Sequence, residues 1–586
     1  MRNIIYLLLL LLHFHCTSQT LPAHRSVNWK LAGLRDTTTN GFIEIDMQNE
    51  GAVGDGLMPN DSIMGGILAA VADSGAILTF PSGNFLFNET IDLPSNVVIK
   101  GDGAESTTFT FDLGGSGHSI KVQGQNVNSA TTSILDFAAK DDEYIFVDDP
   151  TLFSDGDWIR ILQNDSNLVT SSWAYKTVGQ VVQISSIVNQ KLFLESPLRM
   201  DYDTVRTPYV VKMTPVENVG IECLKIHRLD DTAPSQSCNI HFSYAVNCWV
   251  NGIESENCTF SHIEARRSSN IHISKSYFHH GFDYGGGGRA YGVMLHITAN
   301  ECMVENNIFE HLRHSMIVQA GANGNVFAYN YSHDPYWSST PNNSAGDAVL
   351  HGNYTYANLF EQNICQNIVI DNSHGPNGPY NTIFRNRSEK YGIFFSATNS
   401  PDQNFLGNEI TNTGLPYSII NYTIQGSGHF IHGNNNKGTI HPSGTETLPD
   451  SSYAYEQKPD FLTTSEWTGI GTPNSFESGT IPAYERYQAG TLFINSCGDN
   501  TANITEIFED DGISIFPNPV RSELTISSKE LIERIEIVDV SFKLVARFEN
   551  VGFSSQLNTE EWNSGVYIVN IYLVDKVLSK ILIKSE

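Results

Sequence analysis

From about Val216 onward the chain alternates short apolar runs with polar punctuation, and one arrangement keeps returning. VENNIF, FAYNYS, FEQNIC, FRNRSE and FLGNEI place Asn307, Asn330, Asn363, Asn386 and Asn408 at spacings of 23, 33, 23 and 22 residues. Strand-length alternation without helical periodicity, recurring near every 23 residues, predicts an all-β solenoid in which equivalent side chains stack coil upon coil. The asparagines are read as structural, because Asn tolerates left-handed turns and its amide can bond to its counterpart on the next coil. Phe309, Phe327, Phe360 and Phe384 are read as internal stacks. Two spacings widen to 31–33 residues, so long loops project there. One holds HHGFDYGGGGRAYG and the other HDPYWSSTPNNSAGDAV. Long loops on a rigid scaffold are where binding and catalysis concentrate.

Upstream, residues 41–112 open with GAVGDG, an ND pair and an amphipathic stretch predicting a helix from about Ser62 to Asp73. ILTFPSGNFLF, IDLPSNVVIKGDG and TTFTFD follow as strands between Gly/Pro/Asn turns. This order of motifs resembles the pectate lyase superfamily closely over roughly 70 residues and more loosely to about residue 440. The resemblance implies a right-handed parallel β-helix, pectin-lyase-like, capped at one end by the helix, with an extended polysaccharide as the natural ligand. Residues 113–215 are less regular and read either as an inserted β-rich subdomain or as long loops on early coils. On this reading the β-helix domain occupies 20–434 and a polar tail and linker occupies 435–511.

Residues 512–586 change character: ISIFPNPV, ELTISS, RIEIVDV, LVARFE, GVYIVNIYLVD and SKILIKSE predict a small antiparallel β-sandwich. FPNPV at Phe516–Val520, GVYIVNI at Gly565–Ile571 and a lysine-containing last strand are similar to the C-terminal sorting domain of the type IX secretion system. That resemblance implies export across the outer membrane of a Bacteroidetes-type bacterium, with release or surface attachment, and the secretion machinery as partner. The other end agrees: Arg2 and the run IIYLLLLLL make residues 1–19 a signal peptide. The run is too short to span a bilayer, and His13-Phe14-His15 before Cys16 lacks the small residues of a lipobox. No other segment reads as transmembrane.

A net charge of −30 argues against sequence-independent nucleic-acid binding. It requires any acidic substrate to be met by a local basic patch or a bound cation. Beyond Cys16 seven cysteines, Cys223, Cys238, Cys248, Cys258, Cys302, Cys365 and Cys497, form no paired CxxC spacing. They read mainly as buried thiols, with room for one or two disulfides. The chain is expected to act as a monomer.

Ten of the 19 histidines lie between His262 and His374. Counting from strand starts places Asp283, Arg313, His314, His333, Asp334, Trp337 and Asp371 in nearly one column. On a coil spacing of about 4.8 Å this strip would cover some 10–15 Å. Arg313, His314, His333, Asp283 and Asp371 are candidate catalytic groups. Trp337, Arg289, His351, His374, Arg385 and Arg387 are candidate substrate contacts, and Asp334 and Asp347 are candidate ligands for Ca²⁺. The Gly285–Gly288 run is no phosphate loop, since neither GxxxxGK[ST] nor a GxGxxG βαβ context is present.

Two chemistries fit. A lyase removes the proton next to a uronate carboxylate and must stabilise the resulting enolate with Arg or a cation. A hydrolase needs two carboxyls about 5–5.5 or 6.5–9.5 Å apart. The wealth of Arg and His favours a secreted lyase acting on an acidic polysaccharide. The alternatives are a hydrolase using paired Asp, an epimerase and a non-catalytic glycan-binding surface protein.

Overall fold

The computed structural model describes residues 19–494 and 513–584, apart from 36–38, 40, 73, 231–235, 420–422, 464–466, 468, 517–519, 540–542, 560–561, 564 and 574–576. Residues 1–18 of the segment 1–19 read as a signal peptide, with Cys16, and Cys497, most of the FPNPV motif and residues 495–511 of the linker lie outside these. The chain divides into two units, 1–498 and 499–586.

The first unit is a parallel β-helix with three walls. Its first wall is a sheet of twelve parallel strands running from Ile43–Asp46 to Phe430–His432. The other two walls share a second sheet. In a typical coil, Met303–Glu305 belongs to the first wall, Ile308–Glu310 to the second and His314–Gln319 to the third. Each strand pairs in parallel with its equivalents one coil below and above, as Tyr277↔Ile308↔Tyr331 does in the second wall. Side chains pointing inward close one continuous apolar core, in which Phe278 stacks on Phe309 at 5.4 Å and Phe327 on Phe360 at 4.9 Å. Phe384 departs from the expected stack and packs outward against Tyr453 at 4.6 Å.

The asparagine ladder takes the form the sequence predicts, with one correction. Asn307, Asn330, Asn363, Asn386 and Asn408 are all buried. Each carboxamide oxygen accepts from the residue one coil below; Asn363 Oδ1 takes the Asn330 backbone N–H at 3.0 Å and its Nδ2 at 2.9 Å. Each Nδ2 also donates to a carbonyl, Asn363 to Phe327 O at 2.8 Å. The left-handed conformation does not fall on the ladder residue. It falls on the residue before it: Asn306, Tyr329, Gln362, Arg385 and Gly407 have φ between 53° and 63°. Asparagine is therefore required for its amide, not for its backbone tolerance. A second ladder, Asn325–Asn358–Asn381–Gln403, runs along the other edge of the first wall.

The capping helix α1 spans Asp61–Val71 and buries Met64, Leu68 and Val71 on one face. Asn60 before it accepts the Val53 N–H at 2.8 Å. Strand Val97–Gly101 pairs directly with Gly220–Glu222 and Ile120–Gln123 with Cys238–Ser243, so the residues between Gln123 and Val216 leave the coil. They contain an antiparallel six-stranded sheet, Gln125–Ser133 to Tyr209–Thr214, with its own core. Asn300 fastens this inserted sheet to the helix by exchanging hydrogen bonds with Val181 at 2.7 and 3.0 Å. Arg199 adds a 2.6 Å pair to Glu301.

The stretch read as polar tail and linker is partly structural. Asn434–Asn436 carries the last coil just past the expected boundary at 434. Leu448, Tyr453, Ala454, Leu462, Ile470, Ile481 and Ala483 then bury themselves along the outside of the helix. There they meet Trp29, whose Nε1 donates to Ala357 O at 2.7 Å. Sparse apolar residues separated by Pro, Gly and Ser give no period, so this strap was not legible as structure. Cys223 is disulfide-bonded, and Cys238, Cys248, Cys258, Cys302 and Cys365 are buried free thiols.

The described residues of the second unit form one five-stranded antiparallel sheet, from Ile513–Phe516 to Val577–Lys584, around a core of its own. Among the described residues, no helix is long and apolar enough to cross a membrane.

Candidate functional site

The outer face of the third wall carries the site. Its strands are Tyr291–His296, His314–Gln319, Ala348–Leu350, Ile364–Ile370 and Arg387–Phe395. Alternation along them turns Met316, Val318, Ala348 and Leu350 into the core and their neighbours outward. The register stacks Met294, Ile317, Val349, Val369 and Phe394 into an apolar outward stripe. On one side of the stripe Tyr291 lies beside His314, ring centroids 5.0 Å apart. On the other side His296 pairs with Gln319, and Gln319 Nε2 donates to His351 O at 3.1 Å. Asp371 N donates to Leu350 O and Ser396 N to Ile370 O, so His351, Asp371 and Ser396 continue that row.

Two cavities sit on this face. One, about 490 Å³, is bounded by Trp173, Tyr291, His296, Arg313, His351 and His374. The other, about 580 Å³, is bounded by Arg313, His314, Trp337, His351, Asp371 and Tyr391. Arg313, His351 and Ser373 line both.

His351 Nδ1 lies 2.5 Å from Asp371 Oδ2, which leaves Nε2 as the ring nitrogen able to meet a ligand. Burial opposes the charge of Asp371. The hydrogen bond and charge of His351, with Ser373, outweigh it and hold the carboxyl well below its usual range. His314 donates from Nδ1 to Gly346 O at 2.9 Å. Burial, then the charges of His351 and Arg313, hold its imidazole down to about 3, so it is neutral with its Nε2 lone pair free. Burial and His351 also lower His374. Arg313 lies between the rings of Tyr291 and Trp337, 5.8 and 6.0 Å from their centroids. Its Nη1 donates to Gly285 O at 2.8 Å. Its Nε is buried without a hydrogen-bond partner. A guanidinium N–H left so is costly, and Arg313 is the one arginine among the described residues lining the two cavities, where an anion would meet it. Among the described residues lining the two cavities, Asp371 is the only carboxylate.

Of the residues singled out from sequence, the structure brings together Arg313, His314, Trp337, His351, Asp371 and His374. The others lie elsewhere. His333 is on the second wall, against Tyr331 and Tyr487. Asp334 pairs with His311 at 2.7 Å. His333 pairs in register with Glu310, so His333 and Asp334 fall three to four residues short of the third-wall position that His314 holds, and grouping them with it put them on the wrong wall. Asp283 pairs with Arg289 at 3.0 Å in an exposed loop. Arg385 is buried under the strap, donating to Leu448 O and Ile470 O. Arg387 is buried against Glu409 at 3.0 Å.

Asp347 does not fit a cation. Its Oδ1 accepts from Ser332 and its Oδ2 from the N–H groups of Gln366 and Asn367. With Asp334 committed to His311 on another wall, the pair assigned to Ca²⁺ cannot form one oxygen cage. Sequence reasoning missed Tyr291, Phe394, Tyr391 and Trp173. The first three sit in strands where an aromatic reads as core, and Trp173 comes from a turn between two strands of the inserted sheet.

Comparison with known proteins gives a family for one segment. Residues 514–585 match the secretion system C-terminal sorting domain, which marks the chain for export. No curated protein sequence matches the chain. Among solved structures, similarity is found to the tailspike protein gp49 from Pseudomonas phage LKA1, at 17% identity and TM-score 0.46, covering 63% of this chain and 64% of that one. The tailspike gp61 of Pseudomonas phage phi297 is similar at 12% identity and TM-score 0.44, covering 67% and 65%. The Azotobacter vinelandii mannuronan C-5 epimerase AlgE4 A-module is similar at 9% identity and TM-score 0.31, covering 67% and 95%. The match spans slightly less than two thirds of either tailspike.

Proposed function

We propose that this chain is an exported lyase that cleaves a uronate-containing polysaccharide by β-elimination. The observation that carries the reading is the meeting of Arg313, with its buried unpartnered Nε, and the carboxylate-backed imidazole of His351 in one cavity wall. Arg313 pairs with the uronate carboxylate and takes up the charge that develops on it. His351 removes the proton on the adjacent ring carbon through Nε2, while Asp371 holds its Nδ1 and stabilises the imidazolium that forms. The C–H pair becomes the new C=C bond. The glycosidic C–O bond breaks, and the departing oxygen keeps the bonding pair and takes a proton from water. His314, neutral beside the reacting centre, accepts a sugar hydroxyl. The structure thus favours His351 over His314 and His333 as base.

A paired-carboxylate hydrolase is the weaker reading, since Asp371 stands alone among the described lining residues and is already engaged by His351. The described residues lining the two cavities carry one arginine and four histidines against one carboxylate, which suits an anionic glycan on an otherwise acidic chain. The deciding experiment is digestion of a panel of uronate polymers. The unsaturated uronate product, read by its ultraviolet absorbance, supports the reading; new reducing ends without it would replace lyase by hydrolase. A chelator is expected to leave the rate unchanged, because the cavities offer one carboxylate where Ca²⁺ takes about 6–8 oxygens.

A further inference from the structure

Five strands of the third wall, from Tyr291–His296 to Arg387–Phe395, underlie the two cavities. Four inter-strand steps of about 4.8 Å make that floor roughly 19 Å long, parallel to the helix axis. The junction at Arg313 and His351 falls between the cavities rather than at either end. The floor is the outward apolar stripe, with polar rows along both edges, a surface that matches a sugar chain with C–H faces down and hydroxyl and carboxylate groups to the sides.

The far wall of the first cavity is Trp173, which the β-helix itself does not supply. It stands edge-on to His296 at 5.4 Å and to His374 at 5.7 Å and is 47% exposed. It sits in a short turn, Ser172–Ala174, between two strands of the inserted sheet, and the β-helix ties that turn down rather than leaving it to swing. Thr170 N and Ser171 N both donate to Asn353 Oδ1, at 3.0 and 3.2 Å, and Thr170 Oγ1 donates to His374 O at 2.8 Å. Ala174 beyond it is buried. A half-exposed indole fixed over a groove that already has Trp337 beside its other cavity is built to meet a flat apolar partner.

We infer that the two cavities form one cleft that holds an internal stretch of the acidic polymer, with Trp173 as a stacking platform on the side away from Trp337, so that scission occurs inside the chain. The inference rests on the elimination reading for the position of the cut. It gives the inserted sheet a role, since removing its platform would strip the first cavity of its indole wall.

The test uses size-graded uronate oligomers prepared from pectate and alginate. Their affinity for the His351→Ala protein is measured by calorimetry, with and without Trp173→Ala. Affinity is expected to rise with length until both cavities are filled. Trp173→Ala should remove roughly three- to tenfold of the affinity for long oligomers and little for short ones, and Trp173→Phe should restore most of it. Unaltered circular dichroism and melting establish that each variant folds. With the active protein, polymer viscosity should collapse before much product accumulates. Affinity indifferent to Trp173→Ala, or release of small oligomers from the outset without loss of viscosity, overturns the inference and leaves the elimination reading standing. Failure of every uronate oligomer to bind overturns both.

Discussion

Arg313, His351 and Asp371 carry different parts of the proposed reaction, so their replacements should fail differently. His351→Ala and Asp371→Asn are expected to lower kcat by about 10²–10⁴, the range of a positioned base. Arg313→Lys should keep the positive charge but lose the forked geometry, costing roughly tenfold or more in kcat/KM with the protein still folded. Progress curves of unsaturated product on the preferred polymer check both. Six of the site residues picked from sequence do line the cavities, because a cluster of His, Arg and Trp beside long loops is visible without coordinates. What sequence could not give was the wall each belongs to. His333 stands in register with Glu310 on the second wall, a shift of a few residues from His314 that a tolerant column count does not resolve.

At the scale of the elements, the ladders and the strap hold the walls in register. Asn363→Ala strands the Asn330 backbone N–H, the Asn330 Nδ2 and the Phe327 carbonyl in a dry interior. At ~1–3 kcal/mol for each unsatisfied group, a loss of about 3 kcal/mol or more is expected as a shift in denaturant midpoint. The strap is tied by Glu361, whose Oε2 accepts the Tyr453 N–H at 2.9 Å. Burial raises its carboxyl from the usual 4.5 to about 7, against the opposing hydrogen bonds of Ser452, Tyr453 and Ala454. A folded value above the unfolded one favours the protonated form, so its contribution is full below about 4.5 and is lost as pH rises through about 7. Melting temperatures across that window should fall for the native chain relative to Glu361→Gln; parallel curves would refute the assignment. The 23-residue repeat announced the coils, whereas the strap, with its scattered apolar anchors, has no period to read.

For the whole molecule, the charge of −30 sets the terms of encounter with an acidic polymer. Long-range repulsion reaches about 30 Å at 0.01 M salt and about 10 Å at 0.1 M. The value of kcat/KM is therefore expected to rise between these salts, before contact with Arg313 is itself screened. A rate that only falls with salt would mean the cleft field dominates at all distances. Residues 514–585 match a sorting domain and have a core separate from that of the helix. Deleting 513–586 should abolish export while the purified remainder keeps its activity. The fold class and this C-terminal unit were legible because both rest on repeated or ordered motifs; the catalytic arrangement was not, because it depends on loop lengths between walls.

The account stands or falls on whether the groups gathered on the third wall break a uronate chain by elimination. The most direct measurement is the parallel digestion of uronate polymers by the native protein and by His351→Ala, followed for unsaturated and for reducing ends. The account predicts that both kinds of end appear together with the native protein and that neither appears with the variant. Unsaturated ends formed equally by His351→Ala, or reducing ends that never carry unsaturation, would contradict it.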